Sequence, residues 1–411
     1  MVEPIGTRRG SSRRERAPLT QTSVRGRNLW RVLENIRAAG TTSRTRIADE
    51  TGLTGTTVHR LTAGLYRRRL IVHTGTTDPR AVGRPPSLFT FNGRIGHVIG
   101  IDIGNETTRA LLADLNRDVL ARVHRPTAAI ESDLLFAVED MVAELQGAAA
   151  VPRDALVTVG VGVAAVTATE GTIVRASMHH LWEGLQLGAQ LRHDLGVEVI
   201  VSQDDHMAAL AELEVGACAG LRDALVVNLG KGLGAGIIAD GSVYRGAHGA
   251  AGRLAWIPVS QATPPEPTLA APSDDPVAPL VPLAHLLTAD GLIAEYRRLG
   301  GVAQVAGAED VFRADTAGDA TAALAVDSFA DRLGWLIGTS IAVTDPQRVV
   351  VGGGISGSFA RLAPRLIRRV AEIVAVPPPI VASELGTDAV AIGAIRAATR
   401  LADSWLAARL G

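Results

Sequence analysis

The spacing of apolar residues changes character twice along the chain. From Asn28, the residues Leu29, Val32, Leu33 and Ile36 fall on one helical face, and Gly40 closes that helix. A second, short helix carries Ile47 and Ala48 inward. Gly52 makes the turn, Leu53 fills the space between helices, and Thr54 caps a third helix that buries Val58, Leu61 and Leu65. This is helix-turn-helix spacing. It leaves Gly55, Thr56, Thr57, His59 and Arg60 facing outward for a major groove, and Arg44 and Thr54 are assigned to the same DNA-binding surface. Two apolar strands, Leu70–Gly75 and Ser87–Phe91, follow as a wing. The tip between them, Asp78–Pro86, carries Arg80 and Arg84 in a Gly-Arg-Pro setting that suits a minor groove.

Beyond His97 the pattern becomes strand, turn and helix. Val98-Ile-Gly-Ile-Asp-Ile-Gly104 is an apolar strand ending at Asp102 and Gly104, and Thr107–Asn116 reads as its partner. Glycine turns recur at Asn228-Leu-Gly-Lys-Gly-Leu-Gly234 and at Gly352-Gly-Gly354. Glycines after buried strands let backbone N–H groups approach phosphates, so Asp102, Gly104, Gly230, Lys231, Gly232 and Gly353 are nucleotide-like candidates. Each turn alone is weak evidence; together they suggest two similar lobes around a cleft. Between them, a strand ends at Ser202 and a helix starts near Asp205. Asp204 at the junction is either a general base for a hydroxyl or a helix N-cap.

Charge sharpens this division. Residues 1–94 hold 18 Arg, no Lys and 6 acidic residues, a formal +12, while the whole chain of 411 residues carries −1. A basic head on an acidic body points to a polyanion as the head's partner. A winged helix that binds protein has the same spacing, but the basic hook and the charge favour double-stranded DNA. Residues 1–27, with seven Arg among Gly, Ser, Thr and Pro, read as a disordered tail. No apolar run reaches a membrane span, and no apolar region follows the basic N-terminus as in a signal peptide. The expected location is the cytoplasm, on the nucleoid. The single cysteine, Cys218, excludes a disulfide framework and reads as a buried thiol.

These ordered motifs resemble the ROK family, whose name joins repressor, open reading frame and kinase. The match runs from about residue 28 to the end and includes Gly246–Gly252 and Asp388-Ala-Val-Ala-Ile-Gly-Ala394. The resemblance implies an α/β protein: a winged helix-turn-helix followed by an actin-like, sugar-kinase-type double lobe. The expected division is a tail at 1–27, a DNA-binding head at 28–92, a first lobe at 96–215 plus 390–411, and a second lobe at 216–389 with a Pro-rich loop at 258–282.

The departures from the family pattern carry as much information. Arg253 stands where the family has a sugar-binding Glu, and Trp256 stands where it has a His that touches sugar and ligates zinc. A guanidinium only donates hydrogen bonds, so the first change reverses the logic of the site. The stretch from Pro258 to Pro282 has eight prolines and no cysteine, so no cofactor and no structural zinc are expected. Gln203 and His206 replace two Asn, and Lys231 replaces a Thr.

Gln203, Asp204, His206, His248, Arg253 and Trp256 are the candidate effector residues. Arg253, Lys231, His206 and His248 form either a basic pocket for a sugar phosphate or other anion, or part of a decayed pocket filled by Trp256. The leading expectation is a DNA-binding regulator, a repressor, with a body that has lost kinase activity and assembles as a homodimer or homotetramer. An ATP-dependent sugar kinase and a constitutive DNA-binding protein without effector are the alternatives.

Overall fold

A computed structural model describes residues 24–76, 87–176, 178–260, 280–302 and 304–410. The chain folds into two compact units. One runs through Ile95 and takes in the residues from Leu401 onward; the other is Gly96–Arg400.

In the first unit, α1 (Val24–Ala39), β1 (Thr41–Ser43), α2 (Arg44–Thr51), α3 (Gly55–Arg67), β2 (Ile71–Thr76) and β3 (Ser87–Phe91) form the winged helix. α1 starts at Val24, not at Asn28, so residues 24–27 are helical and not part of a tail. Its face of Leu29, Trp30, Val32, Leu33 and Ile36 is buried. Ser43 and Thr54 cap α2 and α3 through their side chains, and Gly52 takes φ +66° at the end of α2, a conformation that favours glycine. β1 is absent from the sequence reading. It adds to β3 to give the sheet order β1-β3-β2, because Thr42 is buried and pairs with Phe89. Late in the chain, Asp403 accepts a hydrogen bond from Arg37 of α1 at 2.7 Å, both within this unit. The last residues thus group with the head and not with the first lobe.

In the second unit, the first lobe comprises β4 (His97–Ile103), β5 (Thr107–Asp114), β6 (Val119–Pro126), α4 (Leu134–Ala148), β7 (Leu156–Val163), β8 (Ala165–Thr167), β9 (Ile173–Ala176), α5 (Leu187–Leu195), β10 (Glu198–Gln203) and α6 (Asp204–Val215). The second lobe comprises β11 (Ala224–Leu229), β12 (Leu233–Ala239), β13 (Ser242–Tyr244), β14 (Pro258–Ser260), β15 (Leu280–Pro282), α7 (Ala289–Arg298), α8 (Ala308–Thr316), α9 (Ala320–Thr344), β16 (Arg348–Gly352), α10 (Phe359–Ile373) and β17 (Ile380–Ala382). α11 (Ala389–Ala408) closes the chain.

The two main sheets repeat one plan. Their orders are β10-β7-β4-β5-β6 and β13-β12-β11-β16-β17, each with three parallel strands and an antiparallel meander. β4 and β11 occupy equivalent places, and each is followed by a glycine turn. Every residue of β4 and β7 is buried, as expected of strands covered on both faces. α11 approaches so closely that a Cβ at Gly100 or Gly160 would overlap a backbone carbonyl of Ala391 or Ala394. The ends of the Pro-rich loop are not loop: β14 and β15 pair antiparallel at its root. Residues 261–279 lie outside the described set.

Candidate functional site

In the head, α3 exposes Thr56, His59 and Arg60. Thr57 is more occupied than its sequence position implies. Its backbone N–H donates to Thr54 Oγ1 at 3.3 Å, and the two hydroxyl oxygens lie 2.9 Å apart, so both residues are engaged at the helix start. Arg44 is likewise held from within: Nε donates to Thr62 Oγ1 at 3.0 Å, and the guanidinium lies 4.7 Å from the Phe89 ring centre. It borders a hollow of about 440 Å³ with His59, Arg60, Ala63, Tyr66, Arg67 and His73. Tyr66 and Arg67 carry no motif that marks them in the sequence, and His73, a strand residue needing no role beyond packing or solvation by its position, comes to the same hollow through β2. Arg80 and Arg84 lie outside the described residues.

In the body, a cavity of about 870 Å³ lies between the lobes. One end has glycine walls from the turns after β11 and β16. Gly353 has φ +81°, and a Cβ there would overlap the carbonyl of Leu229. Lys231 sits in the first of these turns. Its ammonium donates to Asp290 at 2.9 Å and lies 3.1 Å from Glu106, which belongs to the turn after β4. These two carboxylates raise its pKa, Asp290 foremost.

At the other end stand Asp102, Asp204, Asp205, Arg109, Arg175, Arg253 and Trp256. Asp204 is not the N-cap, a place held by Gln203 without a side-chain bond. Asp204 is the first residue of α6 and accepts the N–H of Asp205 at 3.0 Å. Burial first, and Asp205 second, push its carboxyl well above the usual range. Burial likewise pushes Asp102 up to about 7, against the pull of Arg109 at 3.7 Å. Asp205, overlooked in the sequence, is the hub: it accepts from Gln203 at 3.2 Å and from Asn228 at 2.9 Å, and faces Arg253 at 4.0 Å. Gly234 is needed opposite it, since a Cβ there would overlap its carboxylate. Trp256 does not fill a core; it is 38% exposed and lines the cavity.

The expected basic cluster does not assemble. His206 is buried outside the cavity wall and donates through Nε2 to the Ala251 carbonyl at 3.0 Å; burial lowers its pKa. Gln203 is wholly buried, and His248 is exposed and off the cavity wall. Only Arg253 and Lys231 reach the cleft, and each faces a carboxylate.

The ROK family model matches residues 98–273 and 285–400, and an IclR helix-turn-helix model matches residues 28–75. The chain belongs to the ROK family. With a helix-turn-helix head on a kinase-like ROK body, it is a DNA-binding transcriptional regulator of that family. Its relatives include a glucokinase of Halalkalibacterium halodurans, 27% identical over 72% of this chain and 92% of that one. They also include the DNA-binding transcriptional dual regulator NagC of Escherichia coli K12, 25% identical over 84% of each chain. Among solved structures, a ROK family transcriptional regulator described as a homologue of the E. coli MLC protein is similar in fold. It has a TM-score of 0.73 at 22% identity and covers 94% of this chain and 99% of its own.

The groups expected of ROK kinases fit poorly here. Cys218, the lone cysteine, packs among Ala209, Ala224, Val226, Ile238 and Val350, where burial pushes its thiol up to about 12. No group of three or more metal-ligating side chains occurs among the described residues. At the glycine turns, a nucleotide phosphate would meet Glu106 and Asp290, two carboxylates already holding the one ammonium.

Proposed function

We propose that the protein is a repressor whose kinase-like body binds a small hydroxylated effector and transfers no phosphoryl group. The observation that carries this reading is Lys231, clasped by Glu106 and Asp290 where a nucleotide would rest its phosphates. Asp204 adds a polar oxygen for a hydroxyl at the same end of the cleft, with its pKa raised by burial first and by Asp205 second.

Thr56, His59 and Arg60 read the major groove of operator DNA, and Arg80 and Arg84 enter the minor groove. Two heads on a symmetric homodimer or homotetramer recognise an inverted repeat, on the nucleoid in the cytoplasm. Effector binding in the cleft shifts the population of DNA-competent states. No structural zinc takes part, since Trp256 and a cysteine-free chain segment replace its ligands.

An ADP-release assay over hexoses and amino sugars, run beside fluorescence anisotropy on DNA upstream of the protein's own gene, tests the reading. The expected outcome is no turnover and DNA binding that falls steeply with salt. Brisk turnover without DNA binding overturns it.

A further inference from the structure

Helical periodicity puts Thr56, His59, Arg60, Ala63, Tyr66 and Arg67 on one side of α3, opposite the buried Val58, Leu61, Thr62 and Leu65. Ala63 stands in the middle of that side, half-buried among longer neighbours, and its methyl lines the hollow of about 440 Å³ in the head. The walls around it are held in place. The Tyr66 ring meets the His73 ring edge-on with centres 5.0 Å apart, and His73 leans on the buried Phe89 at 4.5 Å. Arg44 lies over the same Phe89 ring at 4.7 Å, fixed by its bond to Thr62.

We propose that this hollow receives the edge of a thymine in operator DNA, and that Ala63 selects that base through contact with its C5-methyl group. This rests on the operator-reading function above and names a base for the same helix.

Three observations carry the assignment. The hollow is bordered by Arg44, Arg60 and Arg67 in a segment of formal charge +12 over residues 1–94, so a polyanion is its charge complement. The thymine methyl is the apolar group that base pairs display in the major groove, and an alanine methyl flanked by aromatic rings is what it packs against. The helix carries no Asp or Glu to accept the cytosine amino group. Register then places the base. Ala63 follows Arg60 by three residues, about 4.5 Å along the helix axis. Successive bases of one strand are about 3.4 Å apart, so the thymine belongs to the base pair beside the one that Arg60 reads. Arginine pairs best with guanine, which makes a T·A pair next to a G·C pair the expected core of each half-site.

The test uses the fragment that the full chain selects from genomic DNA. Each thymine is replaced in turn by deoxyuridine, which removes the methyl and keeps every hydrogen-bonding group. Anisotropy is read on the wild type, Ala63→Ser and Ala63→Gly, and Arg60→Ala locates its own base pair by relaxing the preference there. The expected result is one thymine per half-site, beside the Arg60 pair, at which deoxyuridine weakens wild-type binding about fourfold, the worth of one buried methyl. At that position both Ala63 variants should bind thymine and uracil alike. Uracil tolerated at every position, or a loss that persists unchanged in the Ala63 variants, overturns the assignment while operator binding stands. Loss of affinity on neutral methylphosphonate linkages, with no response to uracil, shows that the hollow seats a backbone strand and overturns it too. A wild type that selects no fragment overturns the operator reading itself, and the thymine with it.

Discussion

Glu106 Oε1 and Lys231 Nζ meet at 3.1 Å across the cleft, joining the turn after β4 to the turn after β11. These are equivalent turns of the two lobes, so one ion pair links the places where each lobe would cradle phosphate. Both side chains are partly solvated, and such pairs contribute at most about 1 kcal/mol. Lys231→Met should therefore move the melting temperature little. Addition of magnesium and a non-hydrolysable ATP analogue should leave the wild-type melting curve in place. A nucleotide-dependent rise of several degrees would show that the turns still accept phosphates.

The buried acid Asp102 sets a pH dependence. Its carboxyl titrates near 7 in the folded chain and near 4 when unfolded, so between those values the folded state binds more protons. The contribution to stability is full below about pH 4 and is lost as pH rises toward 7. Asp204 is shifted in the same direction. Asp102→Asn should melt higher than wild type at pH 8 and show a smaller gain at pH 5. Equal melting differences at both values, followed by calorimetry, would contradict this.

Close approach of α11 to the first sheet gives a packing test. A methyl at Gly160 would overlap the Ala394 carbonyl, a backbone group of α11. Gly160→Ala should cost about 1–3 kcal/mol, read from the urea midpoint. At Gly147 nothing lies within reach of an added methyl, so Gly147→Ala in helix α4 should be neutral or slightly stabilising.

The head offers a pair of contrasting changes. Thr54→Ala removes the cap of α3 and should cost about 1 kcal/mol of stability, with a general loss of DNA affinity. Arg60 is exposed on α3, and Arg60→Ala should spare stability while lowering affinity by about 1–3 kcal/mol on the operator. Melting curves and anisotropy on the same preparations separate the two effects.

The architecture was legible where a backbone requirement shows in the residue type. Gly52 and Thr54 mark the helix-turn-helix because a left-handed residue and a capping hydroxyl are needed there. The glycine turns at Gly230–Gly234 and Gly352–Gly354 mark the lobes because a side chain at Gly234 would collide with Asp205 and one at Gly353 with the Leu229 carbonyl. What the sequence hid was side-chain direction. His206 is two residues from Asp204, yet on α6 it turns toward the Ala251 carbonyl. Asp205, one step from Asp204, turns toward Gln203 and Asn228 and becomes the site's hub. Arg175 sits in no motif, and only the fold brings β9 beside Trp256. β1 is three residues long and gains its place from pairing with β3, which no local pattern announces.

The central claim is that the helix-turn-helix head of this ROK-family chain reads operator DNA. Selection of fragments of the organism's own genome by the purified protein at low ionic strength tests it most directly. The account predicts a small set of enriched fragments sharing an inverted repeat, lost with Arg60→Ala. Enrichment no better than random genomic DNA, with Arg60→Ala indistinguishable from wild type, would contradict it.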